Sequence, residues 1–188
     1  WGAVVRQKQA LVEELRAAKY TEVLPNYNAI SYMEGAAQFF DDGELSVAGK
    51  PIHARKTIIA TGSRPHIPEI PGLGSVAFHD STSILELETL PDSLIVMGGG
   101  YIGAELAQVF ARPGVKVMIV SRRGLLPVAE PEIGAALTSY FEAEGIVVCS
   151  ELQYEGVEQD GAGVALSIAG PAGKETLRAE ALLLATGR

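Results

Sequence analysis

Cysteine is almost absent: Cys149 is the only one among 188 residues. A single thiol excludes an internal disulfide framework and any redox pair of cysteines within the chain, and it fits a reducing compartment. Long apolar runs are also missing. The longest uncharged apolar stretch, Leu94 to Ala104, is about half of what a membrane span needs and holds four glycines. Positive charge is in deficit, with 15 Lys plus Arg against 23 Asp plus Glu and a net charge of −8. No electrostatic footprint for a nucleic acid or an anionic membrane follows from that balance, so neither is expected as a partner. Histidine is sparse, and His53, His66 and His79 lie 13 residues apart in separate segments without metal-ligand spacing. No metal site is expected. Apolar residues make up 47% and charged residues 20%, the balance of a globular chain with a sizeable core.

An initiating Met and a signal peptide are lacking too. The chain opens Trp1-Gly2-Ala3-Val4-Val5 and stops after Leu182-Leu183-Leu184-Ala185-Thr186-Gly187-Arg188, just past an apolar run. Both ends predict an internal segment of a longer protein.

Within these bounds the elements are readable. Residues 5–19 carry Leu11, Val12, Leu15 and Ala18 at helical spacing, an amphipathic helix that also fits a plain surface helix. Ile30 to Phe40 and Glu44 to Val47 flank the turn sequence Asp41-Asp42-Gly43, which predicts a hairpin. A strand is expected from His53 to Ala60, ending at Thr61-Gly62. An extended connector with Pro65, Pro68 and Pro71 follows over residues 63–74. From Pro91 the signals alternate as βαβα: Leu94–Met97, Tyr101–Arg112, Val115–Val120 and Pro131–Glu144, with Ile102, Leu106 and Val109 as the buried face of the first helix. The second helix has Pro131 in its first turn, Gly145 just past its end, and Ile133, Leu137, Tyr140 and Phe141 on one face. Ile146–Val148 reads as a third strand, 150–180 as an antiparallel meander, and Leu182–Ala185 as a strand returning to the central sheet.

The strongest local signal is Gly98-Gly99-Gly100-Tyr101-Ile102-Gly103, a G-x-G-x-x-G between the strand Leu94–Met97 and a helix. Gly98 permits a tight turn, Gly100 lets the backbone approach a pyrophosphate, and Gly103 lets the helix pack closely on its strand. The helix N-terminus adds free N–H groups and the positive end of a dipole. A flexible turn is the plain alternative. An acid at the end of the second strand would bond the ribose 2′-OH of NAD, but this strand ends in Ser121-Arg122-Arg123. Two guanidinium groups there favour NADP. One charged hydrogen bond contributes roughly 1.5–3 kcal/mol, or about ten- to a hundredfold in affinity; two solvated arginines in a turn fit the same residues. Tyr101 and Glu105 share a helix face with Gln108 and could line a site, although an exposed helical Glu fits equally. Cys149 reads as a small buried hydrophobe rather than a nucleophile, and Glu130 with Glu132 as a helix start rather than an acid pair.

Over nearly its full length the chain resembles the flavin-dependent pyridine nucleotide-disulfide oxidoreductases. The residues that carry the resemblance are Thr57-Ile58-Ile59-Ala60-Thr61-Gly62, the segment Gly98 to Glu105, and Leu183 to Arg188. The helix Arg6–Tyr20 and the segment Glu34–Phe39 are most similar to members that reduce Hg(II) with NADPH, and lipoamide-linked members come next. The resemblance implies an α/β fold: a Rossmann-type NAD(P)-binding domain with a parallel sheet and antiparallel meander, residues 91–188, preceded by part of an FAD-binding domain, residues 1–90. It implies FAD and NADP as cofactors, with Ala60, Thr61 and Gly62 on the FAD side. On the NAD(P) side it implies Gly98, Gly99, Gly100, Tyr101, Ile102, Gly103, Glu105, Ser121, Arg122, Arg123 and Gly187. Tyr101 would be the aromatic lid over the nicotinamide pocket and Glu105 the carboxylate that pairs with a lysine beside the flavin, the two catalytic positions. NADPH and either Hg(II) or a disulfide would be the substrates of a cytoplasmic homodimeric parent. The redox cysteine pair, the first FAD glycine loop and the flavin-side lysine would lie before Trp1, so the 188 residues alone are expected to be inactive. Pro113 departs from the aliphatic residue common in the family, at a helix end that tolerates proline.

Overall fold

A computed structural model describes residues 1–41 and 43–188. They divide into two compact units, Trp1–Val5 with Ser63–Arg188, and Arg6–Gly62.

The larger unit is built on a parallel sheet. Its strands β4 (Ser93–Met97), β5 (Lys116–Val120), β6 (Val147–Cys149) and β10 (Ala181–Leu184) lie in the order β10-β4-β5-β6. Short continuous apolar runs such as Leu94-Ile95-Val96-Met97 are what a strand covered on both faces requires. Side-chain alternation then sorts them. Leu94, Val96, Val117, Ile119 and Leu183 join a core with helices α2 (Tyr101–Ala111) and α3 (Pro131–Ala143), centred on Phe110. Ile95, Met97, Val120, Leu182 and Leu184 face the opposite way. There they meet Val157, Val164, Leu166 and Ile168 of an antiparallel meander, β7 (Gln153–Asp160), β8 (Gly163–Gly170) and β9 (Gly173–Ala179). Helices on one face of the parallel sheet and the meander on the other make a three-layer α/β unit of Rossmann type. The βαβα reading, the meander and the return of Leu182–Leu184 to the central sheet are all observed.

The chain before β4 completes this unit. His79 forms a parallel bridge to Leu183, donating its N–H to the Leu182 carbonyl and accepting from the Leu184 N–H. Trp1 packs against Phe110 in a tilted arrangement with ring centroids 5.3 Å apart and donates its indole N–H to the Leu87 carbonyl at 2.7 Å.

The smaller unit holds most of helix α1 (Gly2–Arg16), which widens into a π-helical turn over Ala17–Thr21, and three short strands β1 (Ala37–Phe39), β2 (Leu45–Val47) and β3 (Lys50–Ile52). They pair antiparallel in that order, with Phe39 opposite Leu45 and Val47 opposite Lys50. The expected hairpin is therefore present, though only Ala37–Phe39 of the run from Ile30 is a strand; Asp42 of its turn lies outside the described residues.

Several expectations need correction. His53–Ala60 is not a strand: Lys50–Ile52 takes the pairing with β2, and Ile58 is 90% exposed on backbone without a ladder partner among the described residues. A β-propensive run becomes a strand only where another strand accepts its hydrogen bonds. On α2 the buried face is Gly103, Ala104, Leu106, Ala107 and Phe110, while Ile102 and Val109 are exposed. Gly103, Ala104 and Ala107, which share that face with Leu106 and Phe110, are small and let the helix lie close to the sheet. On α3 only Phe141 is fully buried, and Ile133 and Tyr140 are exposed. The sheet ends at short β6, so the apolar stripe of α3 outruns the surface available to cover it.

Candidate functional site

The turn between β4 and α2 sits at the carboxyl edge of the parallel sheet, where open α/β sheets bind ligands. Each glycine in it has its own reason. Gly98 adopts φ +113°, and a Cβ there would overlap the Ala185 carbonyl of the neighbouring strand end. A Cβ on Gly103 would overlap the Gly98 carbonyl, so that glycine closes the helix onto its own turn. Gly100 meets nothing within 4 Å and leaves its side of the turn open. Gly100 also caps α2 without a side-chain bond to the first-turn N–H groups. Free donors and the helix dipole therefore point into open space, as a pyrophosphate requires.

Gly99 was the unspecified position of the motif, yet its constraint is as firm. A Cβ there would meet the Gly124 carbonyl and, at 2.8 Å, Ser121 Oγ. The loop after β5 folds directly over the glycine turn, and the Leu126 N–H donates to the Gly99 carbonyl at 2.7 Å.

Gly98, Gly99 and Gly100 line a cavity of about 190 Å³ together with Ser121, Arg122, Arg123, Pro127, Tyr154 and the strand end Ala185-Thr186-Gly187. The structure thus brings the glycine turn and both arginines to one place. Arg122 and Arg123 are exposed at the loop tip, and Ser121 is buried beneath it. A second, mostly apolar cavity of about 280 Å³ shares Gly100, Ala185 and Gly187 and continues along Tyr101, Ile102, Pro65, Ser81, Leu184 and Arg188. Tyr101 is 58% exposed at its mouth. A polar chamber with guanidinium groups and an apolar chamber with an aromatic ring, joined at the open glycine, suit the two unlike halves of a dinucleotide.

The wall opposite α2 is fixed by the strand end after β10. Ala185 N–H donates to the Met97 carbonyl at 2.8 Å, Thr186 Oγ1 donates to the His66 carbonyl at 2.9 Å, and the His66 N–H donates to the Gly187 carbonyl at 2.9 Å. Gly187 takes φ +118° in this crossing.

Tyr154 escaped the reading of the sequence. It lies on β7, thirty-four residues from β5, and its hydroxyl donates to the Val120 carbonyl at 2.8 Å. Burial pushes its phenol up to about 12, against a smaller opposing pull from the Arg122 charge. The pairing of β7 with β8 slips between Tyr154 and Gly156, an irregularity that the sequence does not announce.

Other expected residues stand elsewhere. Glu105 is exposed on α2. Gln108 turns away from the glycine turn: it donates to Glu144 Oε1 at 2.9 Å, and Arg112 bonds the same carboxylate at 3.1 Å and 3.2 Å. Those bonds, Arg112's first, hold the Glu144 carboxyl below its usual range. Cys149 is half-buried at the end of β6, and burial, aided by Glu175, pushes its thiol up, away from the reactive thiolate. Ala60, Thr61 and Gly62 belong to the smaller unit, where they are exposed on unpaired backbone with Gly62 at φ +71°.

A strand, a three-glycine turn, a close-packed helix and a basic loop at the next strand end define a dinucleotide-binding α/β protein. The family model of the pyridine nucleotide-disulphide oxidoreductases matches residues 3–188, and the chain belongs to that family. Among curated relatives, mercuric reductase of Streptomyces lividans is 41% identical over 191 residues, which cover 99% of this chain and 40% of that protein. Mercuric reductase of Bacillus cereus is 39% identical over 186 residues, 98% of this chain and 29% of the relative. Among solved structures, the Cu(II) complex of the HOCl-induced flavoprotein disulfide reductase RclA from Escherichia coli superposes with a TM-score of 0.89 at 29% identity, covering 100% of this chain and 43% of that one. The chain spans less than half the length of these relatives.

Proposed function

We propose that the chain carries the NADPH-binding part of a flavin-dependent oxidoreductase of the mercuric reductase type, with residues 91–188 as the NAD(P)-binding domain and residues 1–90 as part of an FAD-binding domain. The observation that carries the cofactor choice is the shared cavity of Gly98–Gly100 with Arg122 and Arg123. The free N–H groups at the start of α2 would bind the pyrophosphate, and the open face of Gly100 would let it approach. Arg122 and Arg123 would pair with the 2′-phosphate by charge-assisted hydrogen bonds, which a planar guanidinium makes two at a time. Tyr101, beside the apolar cavity, would cover the nicotinamide and exclude water, and Glu105 on the same helix would be the carboxylate near the reacting ring. Bound NADPH supplies a hydride; the residues named here hold and orient it.

The flavin side stands differently. Within Arg6–Gly62 the described residues form no strand that runs through a glycine turn into a helix, and Ala60-Thr61-Gly62 is exposed. These residues do not make a flavin cradle by themselves. The longer protein is proposed to use FAD and a cysteine pair to reduce Hg(II), as a cytoplasmic homodimer. Lipoamide-linked disulfide reduction is the alternative, disfavoured by basic residues where an acid would select NAD.

Titration of the 188-residue chain with NADPH and NADH tests the reading. The expected result is that NADPH binds the wild type more tightly than NADH, and that Arg122→Ala with Arg123→Ala weakens NADPH about ten- to a hundredfold while sparing NADH. Equal affinities in the wild type remove the basis for NADP. A colourless preparation that turns over neither Hg(II) nor lipoamide is the expected behaviour of these residues alone.

A further inference from the structure

The loop that presents the two arginines is stapled from beneath by a single buried hydroxyl. Ser121, 4% exposed, donates from Oγ to the Gly124 carbonyl at 2.8 Å and accepts the Arg123 N–H at 3.3 Å. Its backbone is held on both sides, the N–H donating to the Cys149 carbonyl at 2.9 Å and the carbonyl accepting from Leu152 at 3.4 Å. Gly124 closes the tip at φ +87°, a conformation that favours glycine. The loop then returns to the glycine turn through the bond from Leu126 to Gly99. Arg122 and Arg123 are thus the only two residues of a closed tip whose base is anchored to β6, to the start of the meander and to the Gly98–Gly103 turn.

A serine hydroxyl carries one proton. Here it goes to the Gly124 carbonyl, and a phosphate oxygen needs donors, so the hydroxyl has none left for a ligand. Resting on the NADPH reading above, we propose that Ser121 is a positioning residue for cofactor choice: with Gly124 it fixes the Arg122–Arg123 tip before the 2′-phosphate arrives, and it does not touch that phosphate. The ordering cost of two long arginine-bearing backbone positions is met in folding rather than in binding, which strengthens the cofactor that uses the tip and leaves the one that does not. Gly99 belongs to the same device, because any side chain there would displace the Gly124 carbonyl that the staple holds.

Three variants of the 188-residue chain are titrated with NADPH and NADH beside the wild type: Ser121→Ala, Gly124→Ala, and Arg122→Ala with Arg123→Ala. Exchange of the Arg123 amide proton is followed by NMR in the nucleotide-free proteins. Gly124→Ala is independent of the hydroxyl; its Cβ would meet only Ser150 Oγ, at 3.7 Å, so the change acts through backbone conformation. The expected result is a wild type that prefers NADPH, a fall of about three- to tenfold in the NADPH-to-NADH affinity ratio in both staple variants, and faster Arg123 exchange in free Ser121→Ala. A ratio that stays within about twofold in both variants, while the double arginine variant abolishes the preference, overturns the positioning role and leaves the NADPH reading intact. A lowered ratio without a change in Arg123 exchange makes Ser121 a direct phosphate ligand and also overturns it. A wild type without preference overturns the NADPH reading and, with it, this inference.

Discussion

The two compact units spend their apolar residues in opposite ways. In Ser63–Arg188 both faces of the parallel sheet are covered, and Ile95, Leu94, Val96, Met97, Leu182 and Leu183 are fully or almost fully buried. In Arg6–Gly62 the only buried residue among those described is Ser46, and Leu11, Val12, Tyr32, Phe39, Ile58 and Ile59 are exposed. Apolar content is therefore a poor guide to a core. A core needs a second surface to close over the first, and helices α2 and α3 on one side and the meander on the other provide it only in the larger unit.

The comparison is broken most strongly at the centre of the larger unit. Phe110→Ala removes a fully buried ring packed against Trp1 and is expected to cost about 3–5 kcal/mol in denaturant unfolding. Next comes the glycine turn. Gly98→Ala forces a side chain onto the Ala185 carbonyl at positive φ, with an expected loss of about 3 kcal/mol. Gly100→Ala, where a Cβ meets open space, leaves the melting temperature close to wild type and instead weakens NADPH, measured by fluorescence titration. The pair separates a glycine that the fold requires from one that the ligand requires.

A smaller effect is pH-dependent. The Tyr154 phenol, raised to about 12 in the fold from an ordinary value near 10, stays protonated where the unfolded chain has lost its proton. The folded state binds more protons in that window, so its stability is fully present below about pH 10 and is lost as pH rises towards 12. Tyr154→Phe, which also deletes the bond to Val120, is expected to flatten that loss in alkaline unfolding curves. The least effect belongs to the smaller unit: Ile58→Ser changes stability of the 188-residue chain by less than about 0.5 kcal/mol, since the residue is already in solvent. A large loss there would show that the two units differ less than their burial indicates.

Much of the larger unit was legible in the chain because its signals are local. Pro131 at the first position of α3 and Gly145 in a left-handed conformation after its end mark that helix correctly. The runs Leu94–Met97 and Leu182–Leu184 announce doubly covered strands, and the glycine motif falls where a strand feeds a helix. What failed depended on partners. Among the described residues His53–Ala60 has strand propensity but no strand beside it, and Ile133 and Tyr140 have helical periodicity but no sheet beneath them. Ile102 and Val109 lost the buried face of α2 to Gly103, Ala104 and Ala107, since distance of approach outweighs hydrophobicity when a helix lies directly on a strand.

The site divides along the same line. Gly98, Gly100, Gly103, Arg122 and Arg123 are visible as residue types at a spacing, because the turn and the strand length fix where they fall. Tyr154 and the roles of Gly99 and Ser121 are not visible. They arise from contacts between segments that are distant in sequence or that meet through backbone carbonyls carrying no signature in the residue code. Sequence by itself determined that a strand, a glycine turn and a helix would present free N–H groups beside a basic strand end. Only the tertiary structure decided that the basic loop folds back over the glycine turn, because that approach is set by how β5, β6 and the meander pack on one sheet, not by any residue's own preference.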